Sequence, residues 1–357
     1  MDLNQSKNTT ERTVLENPIG LDGMEFIEYS APEPAKLEAL FKQYGFKKIG
    51  DHKSKKVSLW SQGRSNFIIN AESDSFAYEF AKAHGPCACA TGFRVKDAKK
   101  ALEEAVKRGA KACPPSKHHS FPAIYGIGDS VIYFIDEYSS SDLYRAYEKD
   151  FNLTTREENP GVGLLLIDHL TNNVPKGEMQ KWCDFYEKIF NFKEARYFDI
   201  KGKSTGLISK VMRGPDNKIM IPINEPSDGK SQIQEYLDEY KGSGIQHIAL
   251  LTTDIVSTVK QLRANGVEFL NMIDTYFDLI LKRLPQVTED IDQLRQHKIL
   301  VDGDHDGYLL QIFGQTVIGP IFFEIIQRKN HAGFGNGNFQ ALFDAIEEDQ
   351  RRRGYLE

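Results

Sequence analysis

Cysteines are scarce in this chain, and they form no recognisable metal or redox motif. Cys87, Cys89, Cys113 and Cys183 are the only four in 357 residues, and no two of them have the C-x-x-C spacing. A disulfide-stabilised secreted domain requires a higher density of cysteine. We therefore expect four reduced thiols in a cytoplasmic protein.

Long apolar runs and an excess of positive charge are also missing. No stretch reaches the ~18 uncharged apolar residues of a membrane-spanning helix, and residues 1–20 show no apolar core of signal-peptide length. The net charge of -6 and the pI of about 5.9 argue against a general nucleic-acid binder, which needs a basic surface. We predict a mobile arm at residues 1–15 and no nucleic-acid or membrane partner.

The length of 357 residues suggests two domains, and an internal repeat supports this. "CATGFRVKDAKKALEEAVKRGAKA" and "HIALLTTDIVSTVKQLRANGVEFL" both run from an apolar strand through an amphipathic helix. Asp97 and Asp254 suit the N-caps of these helices, because their carboxylates can accept from free amides of the first turn. Gly109 and Gly266 follow at the same spacing and suit the residue after each helix.

A second repeat pairs "LEALFKQYGFKKIGDHKSKKVSLWSQG" with "WCDFYEKIFNFKEARYFDIKGKSTGLISK". Each stretch predicts a helix that ends at Gly45 or Asn191 and is followed by alternating strands. The pattern restarts near residue 161, after the polar stretch "LTTREENPG". We predict an α+β fold of two tandem related domains, at residues 16–152 and 161–357.

Three polar residues stand out within apolar strands of the second half. His169 lies in "GVGLLLIDHLTNNV", His247 in "GIQHIALLTTDI" and Glu324 in "GPIFFEIIQR". A core histidine with satisfied ring nitrogens and a salt-bridged carboxylate are the structural alternatives. A buried carboxylate is nevertheless costly without a proton, an ion pair or a metal. Two histidines and one carboxylate on separate strands are a ligand set for Fe(II) that leaves positions open for substrate and oxygen.

The first half lacks such a set. Aligning Asp97 with Asp254 places Ala90 opposite His247. The surrounding strands place the remaining counterparts, Glu28 near His169 and Phe134 opposite Glu324. Alanine, glutamate and phenylalanine could not bind a metal together. We therefore predict one active and one degenerate domain.

Several stretches of the chain resemble the 4-hydroxyphenylpyruvate dioxygenase family of the vicinal oxygen chelate superfamily. They include "IDHLTNNV", "NFKEARYFDIKG", "TGLISKVM", "IPINEP", "KSQIQEYL", "GIQHIALLT", "LLQIF", "FFEIIQRK" and "GFGNGNFQALFDAIEEDQ". The resemblance extends from residue 16 to about residue 354. It implies two domains of paired βαβββ modules that form open barrels of the glyoxalase/bleomycin-resistance/dioxygenase type, with iron in the C-terminal one.

The resemblance also implies site residues. The Fe(II) ligands would be His169, His247 and Glu324. The substrate pocket would contain Ser209, Pro222, Asn224, Gln232, Gln311, Phe313, Phe322, Phe334, Asn338, Phe339 and Phe343. A helix at about 335–352 would close the site as a lid. The helical spacing of its aromatic residues is equally typical of a helix that only packs on the core.

The implied reaction converts 4-hydroxyphenylpyruvate and O₂ into homogentisate and CO₂ in tyrosine and phenylalanine catabolism, with no separate protein acid or base. The alternatives are a 4-hydroxymandelate synthase, a small-molecule-binding member of the superfamily without turnover, and a zinc or nickel isomerase. We expect a homo-oligomer, either a dimer or a tetramer. His297 and His305 receive no role and are expected to be solvent-exposed.

Overall fold

A computed structural model describes residues 15–114, 121–271, 276–277 and 280–356. The predicted arm at residues 1–15 lies outside this part of the chain, except for Leu15. Among the described residues, no helix combines the length and the apolar character needed to cross a membrane.

The first half of the chain folds into a mixed sheet flanked by helices. In chain order, its elements are β1 Leu21–Ser30, α1 Pro34–Gln43, β2 Lys47–His52, β3 Val57–Gln62, β4 Ser65–Asn70, α2 Phe76–His84, β5 Cys87–Val95, α3 Ala98–Lys107, β6 Ala112–Cys113, β7 Ala123–Tyr125, β8 Val131–Ile135 and β9 Phe151–Leu153. Single 3₁₀ turns lie at Ile127–Asp129 and Arg145–Tyr147. The strand order is β6-β7-β8-β5-β1-β4-β3-β2-β9.

The second half repeats this plan. Its elements are β10 Leu164–Asn173, α4 Met179–Phe190, β11 Lys193–Lys201, β12 Gly206–Arg213, β13 Met220–Pro226, α5 Gln232–Tyr240, β14 Gly244–Thr252, α6 Ile255–Ala264, α7 Ile280–Arg283, α8 Ile291–His297, β15 Leu300–Gly303, β16 Tyr308–Phe313, β17 Phe322–Lys329 and α9 Asn336–Arg352. The strand order β11-β12-β13-β10-β14-β17-β16-β15, read backwards, matches the first sheet without β9. The predicted α+β fold with a duplicated sheet is confirmed.

Matching caps fix the helices that follow β5 and β14. The Asp97 side chain accepts from the Lys100 backbone N–H at 3.0 Å, and the Asp254 side chain accepts from that of Ser257 at 3.0 Å. Asn191 ends α4 in the left-handed conformation, with φ of 59°. The caps predicted from the sequence are therefore confirmed, and they set where each helix begins and ends.

One hydrophobic core joins the two sheets. Phe67 of β4 stacks against Phe323 of β17 with 5.9 Å between ring centroids, and the Tyr44 ring is tilted against Phe323 with 4.7 Å between centroids. All three side chains are buried. Aromatic packing of this kind fixes the second sheet against the first and so fixes the strands that carry the polar residues.

The register of the sheets shows which positions correspond. Ala249 of β14 lies between His169 of β10 and Glu324 of β17. The three corresponding positions of the first sheet lie side by side in the same way: Phe26, Gly92 and Tyr133. Glu324 therefore corresponds to Tyr133, and its sequence-based pairing with Phe134 is wrong by one residue. In a strand, a shift by one residue exchanges the two faces.

The pairing of β1 with β10 also needs correction. Glu28 lies opposite Ala90, and Thr171 lies opposite His247. Since Ala90 is the counterpart of His247, Glu28 corresponds to Thr171 rather than to His169. A bulge in each strand shifts the register, and a bulge cannot be located from the apolar pattern alone.

The two histidines that were predicted to be exposed behave differently from each other. His305 is exposed, as predicted. His297 ends α8 and is only 9% exposed, so its predicted exposure is wrong. The reason is that α8 packs against α6, where Arg263 donates to the His297 carbonyl at 3.2 Å.

Candidate metal centre and substrate pocket

Three neighbouring strands bring His169, His247 and Glu324 together. β10, β14 and β17 are adjacent in the second sheet, and His169 and Glu324 both flank Ala249 in the ladder. The alternation of side chains then directs all three groups to one face. Their exposures are 2%, 5% and 1%, so the cluster is closed to bulk water.

The ligand atoms of these residues converge on one point. Glu324 Oε2 lies 3.5 Å from His169 Nε2 and 3.3 Å from His247 Nε2. The potential ligand atoms of the three residues all lie within 4.8 Å of one another. In the described part of the chain, the other group with this property is Asp304, His305 and Asp306, which is fully exposed.

A second layer of side chains orients both imidazole rings. His169 Nδ1 lies 2.8 Å from Asp168 Oδ2, and His247 Nδ1 lies 3.0 Å from Gln246 Oε1. Both partners are acceptors here, so each ring carries a proton on Nδ1, and Nε2 is the nitrogen that faces Glu324. This is the usual arrangement of metal-binding histidines, whose second nitrogen donates to a carboxylate or a carbonyl.

The buried negative charge of Glu324 favours a cation at this cluster. Burial by itself would raise the pKa of Glu324, but the charge of His169 and contacts with both rings outweigh it and lower this pKa to about 2. Burial would lower the pKa of His169, yet Glu324 and Asp168 raise it to about 9. Burial lowers the pKa of His247. A proton thus balances Glu324 in the absence of a metal, and a metal ion would replace that proton.

A small pocket, with a cavity volume of about 30 Å³, opens beside the three residues. It is lined by His169, Thr171, Phe198, Ser209, Val211, Pro222, Asn224, His247, Gln311, Phe313, Glu324, Phe334, Phe339 and Leu342. Seven of these fourteen side chains are apolar, and the other seven are polar or charged. Apolar walls with convergent polar groups are typical of a site for a small organic ligand.

Seven residues implied for the substrate pocket line it: Ser209, Pro222, Asn224, Gln311, Phe313, Phe334 and Phe339. Four others lie elsewhere. Phe322 stacks on the ring of His247, with 4.9 Å between centroids, and Asn338 Nδ2 donates to Gln311 Oε1 at 2.9 Å. Gln232 lies in a separate cleft, and Phe343 is buried in the main core.

Other residues at the site were not predicted from the sequence. Those in the pocket wall are Thr171, Phe198, Val211 and Leu342. Asp168 and Gln246 were also missed, although each directly precedes one of the two histidines. A polar residue beside a histidine in a buried strand is the signal that could have identified them.

Two family descriptions match the chain. One, described as hydroxyphenylpyruvate dioxygenase, N-terminal, matches residues 15–152. The other, the glyoxalase/bleomycin resistance protein/dioxygenase superfamily, matches residues 166–312. A 4-hydroxyphenylpyruvate dioxygenase from Legionella pneumophila is 51% identical over 345 residues, which cover 95% of this chain and 98% of that protein.

The chain belongs to the 4-hydroxyphenylpyruvate dioxygenase family.

Further comparisons agree with this family. A 4-hydroxyphenylpyruvate dioxygenase from Pseudomonas aeruginosa is 48% identical, with 98% of this chain and all of that protein covered. The solved structure of a mutant of 4-hydroxymandelate synthase from Streptomyces coelicolor has a TM-score of 0.81. It is 24% identical and covers 93% of this chain and 99% of its own, so it shows a common fold.

Proposed function

We propose that the chain is an Fe(II)-dependent 4-hydroxyphenylpyruvate dioxygenase, which converts 4-hydroxyphenylpyruvate and O₂ into homogentisate and CO₂. The observation that carries this proposal is the convergence of His169, His247 and Glu324 beside a pocket whose walls include four phenylalanines. Membership of the family supplies the reaction, and the geometry supplies residues able to perform it.

The donor set fits Fe(II). Two imidazole nitrogens and one carboxylate oxygen are the facial set of non-heme iron oxygenases. Gln311 Nε2 donates to Glu324 Oε1 at 2.8 Å, which leaves Oε2 to face the two histidines. We assign His169, His247 and Glu324 as the ligands. Bound Fe(II) would supply a Lewis acid for the α-keto acid and the electrons that activate oxygen.

The charge of the protein groups suits an anionic substrate. Glu324 contributes one negative charge and the two histidines are neutral when they bind a metal, so a divalent ion keeps one positive charge there. That charge attracts the carboxylate of 4-hydroxyphenylpyruvate. Asp168 and Gln246 hold the two rings in position, so little reorganisation is needed when the substrate binds.

Two buried polar atoms in the pocket suit the phenol group of the substrate. Ser209 Oγ and Asn224 Oδ1 have no hydrogen-bond partner among the described residues, although both residues are at most 1% exposed. They are neighbours across β12 and β13. An unsatisfied buried polar atom costs free energy, which a bound hydroxyl would recover. We propose that Ser209 and Asn224 bind the 4-hydroxyl.

The aromatic side chains exclude water and restrict the substrate ring. Phe334 lies just before α9 and Phe339 in its first turn, and Phe339 packs edge-on against Phe198 with 5.3 Å between centroids. Phe313 adds a further wall from β16. Such walls favour one position of the ring and protect the reaction from water. We propose that α9 is the lid of this site.

The physiological setting follows from the same proposal. The reaction belongs to tyrosine and phenylalanine catabolism, and all four cysteines are free thiols, which suits the cytoplasm. We also propose that residues 16–152 are the degenerate domain and residues 161–357 the catalytic one. Assembly into a dimer or tetramer stays a prediction.

Oxygen uptake combined with product analysis tests this function. The metal-free protein is loaded with Fe(II) under anaerobic conditions, and 4-hydroxyphenylpyruvate and O₂ are then added. We expect O₂ consumption, CO₂ release and homogentisate formation in equal amounts. Loading with Zn(II) should give no oxygen uptake, because zinc has no accessible redox change.

Two outcomes would contradict the proposal. Formation of 4-hydroxymandelate as the main product would make the chain a 4-hydroxymandelate synthase. Tight binding of the keto acid without oxygen uptake by the iron-loaded protein would indicate a binding protein instead.

The Ser209→Ala variant should raise KM more than it lowers kcat, since it removes a contact to the ring rather than to the iron.

A further inference from the structure

The guanidinium group of Arg328 contacts both Asp168, which orients the candidate ligand His169, and the segment that leads into α9. Arg328, near the end of β17, makes a forked ion pair with Asp168, in which Nε and one terminal nitrogen each lie 2.7 Å from a different carboxylate oxygen. Asp168 in turn contacts His169 Nδ1 at 2.8 Å. The pair is largely buried, at 16% and 6% exposure.

The local backbone explains how Asp168 can reach its neighbour. The register of β10 against β14 shifts between Ile167 and His169, so Asp168 occupies a bulge. In a regular strand, adjacent side chains point to opposite faces, whereas a bulge redirects one of them. The carboxylate therefore reaches both His169 and Arg328. Arg328 holds the pKa of Asp168 well below its usual range, although burial acts in the opposite direction.

The other side of the guanidinium holds the segment 331–335, which leads into α9. The remaining terminal nitrogen of Arg328 donates to the carbonyls of His331 and Gly333, at 3.2 and 2.6 Å. The guanidinium also lies 5.6 Å from the ring centroid of Phe334. The Phe334 ring contacts that of His169 edge-on, with 5.2 Å between centroids. Arg328 and Phe334 thus connect His169 to the segment before α9 by two routes, one through Asp168 and one through the Phe334 ring.

We propose that Arg328 is a positioning residue that couples the binding of metal at His169 to the order of residues 331–335. This rests on the metal site of the proposed function. A metal at Nε2 fixes the ring, and the fixed ring holds Asp168 and Arg328 in place. The Arg328 guanidinium, which donates to the carbonyls of His331 and Gly333, would then stay in place. The lid entrance would therefore be more ordered when the centre is loaded.

Gly335 marks where this segment turns into the helix. Its φ is +67°, a conformation that side-chain-bearing residues rarely adopt. An added Cβ would also lie 2.6 Å from Gln311 Oε1, so the chain passes directly over the pocket wall. A small change in residues 331–335 is therefore transmitted to the position of Phe334 and Phe339.

A separate chain of hydrogen bonds joins the helix itself to the centre. Asn338 Nδ2 donates to Gln311 Oε1, and Gln311 Nε2 donates to Glu324 Oε1. This connection reaches α9 beyond Gly335 and does not involve Arg328. Residues 338–345 therefore provide an internal control for an effect that is confined to residues 331–335.

Hydrogen–deuterium exchange in the absence of substrate tests the proposal. Exchange of residues 331–335 and 338–345 is followed by mass spectrometry in the metal-free protein and after anaerobic addition of Fe(II). In the parent protein, Fe(II) should slow exchange of 331–335 by at least about fivefold, the lower end of typical coupling between sites. In Arg328→Gln this slowing should disappear, while that of 338–345 remains.

Arg213→Gln is the matched control. Arg213 donates to the Ala332 carbonyl at 2.9 Å, so it holds the same segment, but it makes no hydrogen bond with Asp168 among the described residues. Exchange of 331–335 should become faster in this variant with and without Fe(II), and the ratio between the two states should be retained. A general loosening of the loop is thereby separated from a loss of coupling.

Arg328→Lys covers the case in which Arg328→Gln folds poorly. Lysine keeps a charge beside Asp168 but cannot make the forked pair and hold two carbonyls at once. It should reduce the effect of Fe(II) on residues 331–335 by more than half. The proposal is overturned if full Fe(II)-dependent slowing persists in either variant, or if the parent binds Fe(II) without slowing there. Failure of the parent to bind Fe(II) would contradict the metal site itself.

Discussion

The two domains share a backbone plan but fill the same register positions with opposite chemistry. The second domain places His169 and Glu324 on either side of Ala249. The first domain has an aromatic pair at these places, with 5.9 Å between the ring centroids of Phe26 and Tyr133. The comparison shows that the sheet supplies a position, and the side chains decide whether it binds or packs.

Gly92 makes the aromatic filling of the first domain possible. A Cβ added at this glycine would lie 2.7 Å from the Phe26 ring, so alanine, which is present at the corresponding position 249, would not fit. Because Gly92 has no Cβ, the Phe26 ring can occupy this space. The first domain thus has packed aromatic rings at the positions where the second domain has His169 and Glu324.

One acidic position is present in both domains. Glu25 precedes Phe26 at a bulge of β1 and pairs with Arg94, just as Asp168 precedes His169 at a bulge of β10 and pairs with Arg328. A buried acid at the bulge is thus also present in a domain whose described residues contain no such group of potential ligands. In the second domain it also contacts an imidazole ring.

Removing the carboxylate from the second domain should have the largest effect. Glu324→Gln keeps the shape but removes the only anionic ligand, so we expect turnover to fall by more than about 100-fold, beyond the losses usual for outer-shell changes. Iron content is measured on the purified protein, and folding by circular dichroism. Glu28→Gln in the first domain is the control and should retain iron and activity. Normal iron and full activity in Glu324→Gln would contradict the assigned ligands.

Replacing the corresponding residues Phe26 and His169 by alanine should separate an effect on stability from an effect on metal binding. Phe26→Ala should lower the free energy of unfolding by about 3–5 kcal/mol, the usual cost of emptying a buried phenylalanine site. Its iron content per folded molecule should stay unchanged. His169→Ala should instead abolish iron binding. Urea denaturation combined with iron analysis measures both quantities, and iron loss in folded Phe26→Ala would show that the first domain supports the centre.

The lid helix is the next test, because the first domain continues after β8 into β9, whereas the second continues after β17 into α9. Phe339→Ile shortens a pocket wall, so we expect oxygen uptake to continue while part of the product becomes 4-hydroxymandelate. A change of about 1.4 kcal/mol between competing barriers alters the product ratio tenfold. Chromatography of products at equal oxygen uptake is the measurement.

Phe343→Leu is the matched control on the same helix, since Phe343 is fully buried in the core and does not line the pocket. It should lower stability and leave the product ratio unchanged. If Phe339→Ile makes homogentisate as cleanly as the parent protein, then Phe339 only packs the lid.

The smallest effect concerns the pH dependence of stability in the first domain. Burial raises the pKa of Glu28, although Asn70 and Tyr133 donate hydrogen bonds to it. An acid whose pKa is raised by folding destabilises the protein once pH exceeds its unfolded value. The stability of Glu28→Gln relative to the parent should therefore improve as the pH rises above about 4. A difference that is constant with pH, or that falls, would contradict burial as the main influence on Glu28.

Local sequence signals predicted the helix caps and the buried polar residues of the second half. The caps at Asp97 and Asp254 and the buried carboxylate of Glu324 could be read directly, because each follows from the preferences of one residue in its immediate surroundings. The outer contacts could not be read in this way. Arg328 and Asp168 are 160 positions apart, and nothing in their local sequence pairs them.

The sequence by itself determined the duplicated α+β plan, the apolar strands and the residue types able to bind a metal, since periodicity and capping act over a few residues. Tertiary structure alone decided the register that makes Phe26 and Tyr133 the counterparts of the ligands, the bulge that turns Asp168 towards His169, and the position of Gln232 outside the pocket. Register and bulges depend on packing between distant strands, where a shift of one residue changes the face on which a side chain lies.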